Sequence, residues 1–321
     1  MLQGKKLGVS IPAFNEELLI GKTLDSMPDY MDCIVVVNDG SSDRTEEIVR
    51  EYQKRDPRIV LVNHDGNKGL GQALITGYLA VREQDVDMVT VMAGDAQMSP
   101  SDLPALCQPI IDGRADYSKG NRLFNPEVTK RMPLYRFIGN SGLTILTKFA
   151  TGYWFSVDPQ CGYTVISTKA LKKIPIENMT RGYAYNADIL NMLNLENFRV
   201  ADVEIEPIYG DEKSKIKLHK YIPLVIKLLA KLTIKRVTIK YLVKDFHPLA
   251  LLYIFSFMNL VVFSIPLAIR FLYLYFQLGI APLTTLIMFT LVFNSGITLL
   301  LFGMWMDMED NKQLRATEIQ M

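Results

Sequence analysis

The chain has 321 residues and a formal charge of +1, with 35 lysines and arginines against 34 acids. That length buries a full core with room for an appendage, and the near-zero charge leaves no electrostatic footprint for a nucleic-acid partner. Its cysteines, Cys33, Cys107 and Cys161, are scattered without CxxC spacing, which argues against a zinc site or a disulfide framework and fits a reducing compartment.

The opening stretch MLQGKKLGVSIPAFNEE meets Pro12 and charge too early for a signal peptide, so the first domain is expected in the cytoplasm. Four valine- or isoleucine-rich runs follow, LGVSIPAF, CIVVVND, RIVLVNH and DMVTVMAGD. The segments between them, such as NEELLIGKTLDSM and SDRTEEIVREYQKR, carry helical spacing and early acids that suit the helix dipole. Strands alternating with helices predict βαβ units, hence an α/β domain with a mainly parallel sheet. Such sheets bind ligands beyond the carboxyl ends of their strands. Polar residues gather there: Asn15 with Glu16, Asn38 with Asp39, His64 with Asp65, and Asp95 with Gln97. One polar strand end is a cap; four together predict a site. No GxGxxG follows the first strand, which weakens a dinucleotide-binding reading, and no GxxxxGKS or GxxxxGKT occurs, which excludes a Walker-type nucleoside triphosphatase. DGNKGLGQAL either brings backbone N–H groups to a phosphate at a helix start or makes a simple tight turn.

Farther along, YIPLVIKLLAKLTIKRVTIKYLVK places Lys227, Lys231 and Lys235 four residues apart, with Val225, Leu228, Leu232 and Ile239 on other faces. This predicts a basic amphipathic helix lying in a membrane interface, against anionic headgroups. Pro248 to Ile269 and Gly279 to Met306 contain no charge. Each is long enough to span a bilayer, which takes about 20 apolar residues, and the short LYLYFQLGIAPL between them predicts a hairpin. Lys240, Lys244 and the basic run before them place that flank in the cytoplasm. Two crossings return the tail DMEDNKQLRATEIQM to the same side, and Arg270 snorkels to the outer interface.

Taken together, VSIPAFNEE, VVVNDGSSDRT, GNKGLGQALITGY and MAGDAQMSPSDLP resemble successive motifs of the inverting family 2 glycosyltransferases, which have the GT-A fold. With DPQCGY, RGYAYNADIL and the membrane hairpin, the chain is most similar to the polyisoprenyl-phosphate glycosyltransferases, a group that includes dolichyl-phosphate mannose synthases. The resemblance covers about residues 5–220 and is specific to the superfamily rather than to one donor sugar. It implies a GT-A catalytic domain over 1–215, basic amphipathic juxtamembrane helices over 216–245, two transmembrane helices within 246–307 and a tail over 308–321, with the catalytic domain and the tail cytoplasmic.

The resemblance also implies roles. Pro12, Phe14 and Glu16 match the motif that holds the nucleoside, although an aromatic there is commonly tyrosine. Val37 and Asp39 match residues contacting the base, and Lys68 lies in the glycine-rich stretch beside the nucleotide sugar. AGDAQMSP resembles the DxDxQ pattern that binds a divalent ion, Mg²⁺ or Mn²⁺, on the donor diphosphate, which makes Asp95 and Gln97 the metal ligands. Aligned on Gln97 and Pro100, the first aspartate is replaced by Ala93; in a shifted alignment Asp95 is the first and Gln97 replaces the second. One carboxylate is missing either way, and weaker metal binding without donor is expected. Arg122 matches a basic residue near the donor phosphates, with Lys119 beside it. Arg131 and Arg136 match the acceptor-side helix, and Lys213, Ser214 and Lys215 a phosphate-binding loop. Asp158 orients the acceptor or a sugar hydroxyl, or only forms a turn with the following proline. Asp188 approaches the sugar or caps its helix. Thr164 stands where relatives often carry arginine.

The implied reaction transfers a hexose, with inversion, from a nucleotide sugar of the GDP-mannose or UDP-glucose type to dolichyl or undecaprenyl phosphate. The expected partners are therefore a nucleotide sugar, a polyisoprenyl phosphate, the membrane and, through the spans, further copies of the chain. Rival readings are a catalytically silent nucleotide-sugar-binding membrane protein, motivated by Ala93, and a transferase with another lipid or polysaccharide acceptor. A processive polysaccharide synthase would carry QxxRW and more spans, whereas the only tryptophans are Trp154 and Trp305.

Overall fold

The runs LGVSIPA and CIVVVN form β1 (Leu7–Ala13) and β2 (Cys33–Asn38), and both are buried at every position, as parallel strands covered on both faces require. They belong to a seven-stranded sheet with β3 (Ile59–Asn63), β4 (Met88–Val91), β5 (Tyr117–Asn121), β6 (Thr164–Ser167) and β7 (Val200–Glu204), in the order β3-β2-β1-β4-β6-β5-β7. β1 to β4 run parallel, β6 is antiparallel to β4 and β5, and β5 pairs in parallel with β7. The computed structural model describes residues 1–122, 134–182, 184–206, 218–279 and 282–316, and of 134–140, 218–221 and 278 the backbone alone. Two compact units divide the chain, residues 1–233 with 313–321, and residues 234–312.

In the first unit, α1 (Ile20–Asp25), α2 (Thr45–Arg55), α3 (Leu70–Arg82) and α4 (Leu103–Ile111) alternate with the early strands. Strand periodicity divides the core into two layers. Val35 and Val37 pack with Leu74, Tyr78 and Val81 of α3, while Ile34 and Val36 pack with Leu7, Val9, Ile11 and residues of α1 and α4. The strand order reverses between β1 and β4, which opens a crevice at their carboxyl ends. Later helices are α5 (Leu134–Thr151), α6 (Thr168–Lys173), α7 (Tyr185–Leu195) and α8 (Leu218–Thr238). Ala150 of α5, Ala187 of α7 and Val225, Leu229 and Leu232 of α8 form a further buried cluster. Asn191 of α7 ties these helices together, donating to Ala150 O at 2.7 Å and Leu232 O at 3.0 Å.

All three cysteines are free and buried. Burial pushes the Cys107 thiol up to about 12 and raises those of Cys33 and Cys161. The thiolate is the reactive form, so iodoacetamide at about pH 8 is expected to leave all three unmodified until denaturant is added, as intact-mass spectrometry would show.

The end of the described chain rejoins the first unit. Leu314 is 3% exposed within the sheet's core, Arg315 bridges to Val200, and Ala316 N donates to Val200 O at 3.0 Å. This covers part of the β7 edge, which would otherwise offer unpaired backbone groups. Of the tail expected over 308–321, residues 314–316 thus lie against this sheet.

In the second unit, a π-helical turn (Ile239–Lys244) leads into α9 (Pro248–Phe257), a second π-helical turn (Met258–Phe263), α10 (Ser264–Leu278) and α11 (Leu283–Asp310). Pro248–Gln277 and Leu283–Asp310 are 30 and 28 residues long with mean hydropathies of 2.1 and 2.0, so both are long and apolar enough to cross a membrane. The helices close on small residues: a Cβ on Gly296 would lie 2.7 Å from Leu260 Cγ, and Ser256 Oγ donates to Gly296 O at 2.9 Å. Close backbone approach of this kind is how apolar helices pack in lipid. At one end of the pair, Arg236 and Asp307, both fully buried, meet at 2.6 Å.

Candidate active site

The crevice is built by loops that lock to one another. Asn15 adopts φ +56 directly after β1, a left-handed conformation asparagine tolerates. Its N–H donates to Ser41 Oγ at 3.0 Å, and its Oδ1 accepts from Ser42 N at 2.9 Å. Glu16 N donates to Thr45 Oγ1 at 2.8 Å. The β1 and β2 exits are therefore one rigid platform, with Phe14 44% exposed upon it. Pro12 and Val37 face each other in the register beneath. Val37 is fully buried in the α3-side core, its side chain turned inward by strand alternation.

Asp39, 3% exposed, holds the glycine-rich loop. Its Oδ1 lies 2.6 Å from His64 Nδ1 and accepts from Lys68 N at 2.9 Å, and its Oδ2 accepts from Gly69 N at 2.9 Å. A carboxylate has roughly four acceptor sites, and the bonds made among the described residues leave one for a further donor. Lys68 itself is exposed. His64 is oriented from its other side by Thr76 Oγ1 at 2.9 Å. The position of His64 at a strand end is legible in the sequence, whereas its pairing with Asp39 is not.

The start of α3 rests on a second segment. Gly71 N donates to Arg181 O at 2.9 Å, and a Cβ on Gly71 would lie 2.2 Å from Thr180 O and 2.6 Å from the Arg181 carbonyl carbon. Asp188 fixes that segment, its Oδ2 accepting from Thr180 N at 2.8 Å and Thr180 Oγ1 at 2.7 Å. Asp188 thus organises backbone here. Since backbone cannot yield as a side-chain tip does, Gly71→Ala is expected to cost about 1–3 kcal/mol, read as a fall in denaturation midpoint at unchanged slope.

Asp95 sits half-buried just past β4. Gly94 N donates to Pro12 O at 3.2 Å and Thr23 Oγ1 to Gly94 O at 3.1 Å, which pins this turn to β1 at the switch point. Ala96 takes φ +55, unfavourable for alanine and of the kind that collects at functional sites. Asp95 Oδ1 accepts from Gln97 N at 3.1 Å; among the described residues, Oδ2 accepts no hydrogen bond. No group of three or more His, Cys, Asp or Glu side chains able to hold a metal occurs among the described residues. A single carboxylate with an amide oxygen still fits a hard cation that takes its other ligands from phosphate and water, as Mg²⁺ often does.

Opposite this turn, Tyr163 OH donates to Ser99 O at 2.8 Å, and a Cβ on Gly162 would lie 3.7 Å from Met98 Cε. The segment before it carries Asp158, 4% exposed. Arg122 grips Asp158 with two bonds, Nε to Oδ2 at 2.8 Å and Nη2 to Oδ1 at 3.2 Å, a geometry that fixes the guanidinium plane. Lys119, expected to face anionic reactants, is 1% exposed; its Nζ donates to Asp158 O at 2.8 Å and pairs with Asp202 at 3.0 Å. Period-two alternation in β5 points it into the domain. Arg131, Lys213, Ser214 and Lys215 lie outside the described residues, and so does the side chain of Arg136.

A mainly parallel sheet with a polar crevice at its switch point and an aspartate turn after β4 defines a GT-A-like α/β transferase. Residues 9–175 match the family model described as glycosyl transferase family 2, and the chain belongs to that family and is a glycosyltransferase. It is 30% identical over 220 residues to UDP-N-acetylglucosamine–dolichyl-phosphate N-acetylglucosaminyltransferase of Methanococcus voltae, covering 64% of this chain and 87% of that one. It is 27% identical over 203 residues to polyprenol monophosphomannose synthase of Mycolicibacterium smegmatis, covering 61% and 75%. Glucosyl-3-phosphoglycerate synthase from Mycobacterium tuberculosis, solved with Mn²⁺, UDP-glucose and phosphoglyceric acid, shares the fold with a TM-score of 0.54 at 18% identity, over 73% of this chain and 80% of that one.

Proposed function

We propose that this glycosyltransferase moves a sugar, with inversion, from a nucleotide sugar to a polyisoprenyl phosphate of the dolichyl phosphate type, at a cytoplasmic membrane face. What carries the reading is the joining, on one chain, of a sheet with Asp95 at its switch point to a basic helix and two helices of bilayer length. The relatives named for dolichyl-phosphate and polyprenol substrates support the same acceptor class.

In this reading an acceptor phosphate oxygen bonds to the anomeric carbon as the bond to the diphosphate breaks, and a nucleoside diphosphate leaves. The acceptor is already ionised near neutral pH, so no strong general base is needed. Asp39, with one acceptor site left, takes a ring N–H of the base, and exposed Phe14 lies against the nucleoside with Pro12 and Glu16 behind it. Arg122 carries positive charge to the donor diphosphate, and Asp158 positions Arg122 rather than touching the reactants. Asp95 and Gln97 would hold a divalent cation, which supplies charge neutralisation for the departing diphosphate when bound. Lys227 and Lys231 are exposed on α8 among exposed Ile222, Leu224 and Ile226, a composition that suits an anionic headgroup layer.

The test uses the purified full chain, dolichyl phosphate, Mn²⁺ or Mg²⁺, and labelled UDP-N-acetylglucosamine, UDP-glucose and GDP-mannose, with label counted in the lipid extract. EDTA-sensitive label from one donor is expected and names the sugar. Label that stays in the aqueous phase with every donor overturns the lipid acceptor.

A further inference from the structure

Asp39 is held by two kinds of donor. Lys68 N and Gly69 N come from the loop after β3, which lies so close to the β2 exit that a Cβ on Gly40 would meet Gly66 C at 2.4 Å. His64 comes from the sheet itself: its N–H donates to Asn38 O at 2.9 Å, carrying the β2–β3 ladder one residue past β3. Its side chain is 7% exposed, and its ring reaches from Asp39 Oδ1 at 2.6 Å to Thr76 Oγ1 of α3 at 2.9 Å. A carboxylate only accepts, so Nδ1 carries the proton and Nε2 accepts from the Thr76 hydroxyl. The imidazole is thus a strut of fixed tautomer between α3 and Asp39. Among the described residues Oδ1 takes His64 and the Lys68 N–H, whereas Oδ2 takes the Gly69 N–H alone, so the open acceptor position lies on Oδ2.

We infer that His64 is a positioning residue for base selection. By holding Oδ1 it aims the open lone pair of Asp39 Oδ2 at the ring N–H of uracil or guanine, and so sets the preference for these bases over cytosine and adenine. The latter two present a lone pair at the corresponding ring nitrogen, which a carboxylate repels. Rejection of the wrong base is strong when it leaves a buried polar group unpaired, and that requires a carboxylate unable to turn away. Released from His64, Asp39 rotates about its Cβ–Cγ bond, a torsion with broad wells, and the penalty for the wrong base falls. This role rests on the proposed contact of Asp39 with a ring N–H, but it concerns the donor nucleotide alone and needs no acceptor lipid.

The test titrates UDP, GDP and CDP into the purified full chain with Mn²⁺ in a calorimeter. The parent protein is expected to prefer UDP or GDP to CDP. His64→Leu is expected to weaken the preferred nucleotide about tenfold and CDP less than about twofold, as the loss of one hydrogen bond to a charged group implies. His64→Asn, whose Nδ2–H stands in for the Nδ1–H, is expected to recover most of the preference. Thr76→Val leaves Asp39 untouched and frees only the far side of the ring; it is expected to lower the preference about threefold. A parent protein that binds CDP as well as UDP and GDP overturns the Asp39 contact and this role with it. Preference lost in Asp39→Asn but kept in His64→Leu, or His64→Asn no better than His64→Leu, overturns the role of His64 alone. If His64→Leu does not fold, Thr76→Val decides, and a preference equal to the parent's then overturns the role.

Discussion

Replacing Asp95 with alanine is expected to lower sugar transfer about 10²–10³-fold, the loss that follows removal of one group stabilising transition-state charge, while circular dichroism and detergent extraction remain those of the parent protein. Asp95 is the one carboxylate in AGDAQMSP, because Ala93 contributes none, so no neighbour in that turn takes over. Among the described residues its bond to the fold is a single N–H, from Gln97 at 3.1 Å, and such a bond contributes about 1 kcal/mol. Activity and stability are therefore separable at this position. Asp95→Asn sharpens the test: the amide oxygen still accepts the Gln97 N–H, but the charge is gone. A turn-forming role predicts that Asp95→Asn keeps activity within about threefold, and that result would sink the metal assignment. Ala93→Asp is the reciprocal change. It adds a second hard oxygen ligand and is expected to lower the Mn²⁺ concentration needed for half-maximal donor binding, measured by calorimetry without any acceptor lipid.

The parts of the fold legible in sequence are those whose burial comes from local composition. CIVVVN and LGVSIPA read as strands because parallel strands covered on both faces become unbroken apolar runs. YSKGN and VADVE do not, since β5 and β7 bury Lys119 and bring Asp202 beside it. Their charges are compensated by residues distant in the chain, and no window of sequence contains both partners. The same holds at the site. Asp39 and Asp95 stand out as polar ends of apolar runs, but nothing local says that Asp39 spends three acceptor sites on His64, Lys68 and Gly69. Asp158 looks like a turn former and Arg122 like a free cation until the fold closes one upon the other. Helix length and hydropathy made the two apolar helices readable, whereas the acids that follow them read as solvated.

Those acids set the largest stability effect: Asp307→Ala is expected to cost about 3–5 kcal/mol, the loss seen when one partner of a buried pair is removed. Arg236 donates Nη1 to Asp307 Oδ1 at 2.8 Å and Nη2 to Oδ2 at 2.6 Å, with both residues fully buried. Tyr241 OH donates to the same Oδ1 at 2.7 Å, and Asn311 Nδ2 reaches it at 2.8 Å. Beside them Lys240 Nζ donates to Asn311 Oδ1 at 2.8 Å and lies 3.3 Å from Asp310. Burial alone would pull the Arg236 guanidinium down, but Asp307 more than reverses this and holds it above its ordinary value. Deleting the carboxylate therefore strands a charged guanidinium in the protein. Thermal unfolding in detergent, followed by the fluorescence of nearby Trp305, checks the loss. The double variant Arg236→Met, Asp307→Leu separates two explanations. If the cost is the stranded charge, the double variant recovers most of it, because well-packed apolar side chains replace such pairs with little loss. If single and double variants fall equally, the hydrogen-bonded cluster itself, with Tyr241 and Asn311, is what closes this end of the helix pair.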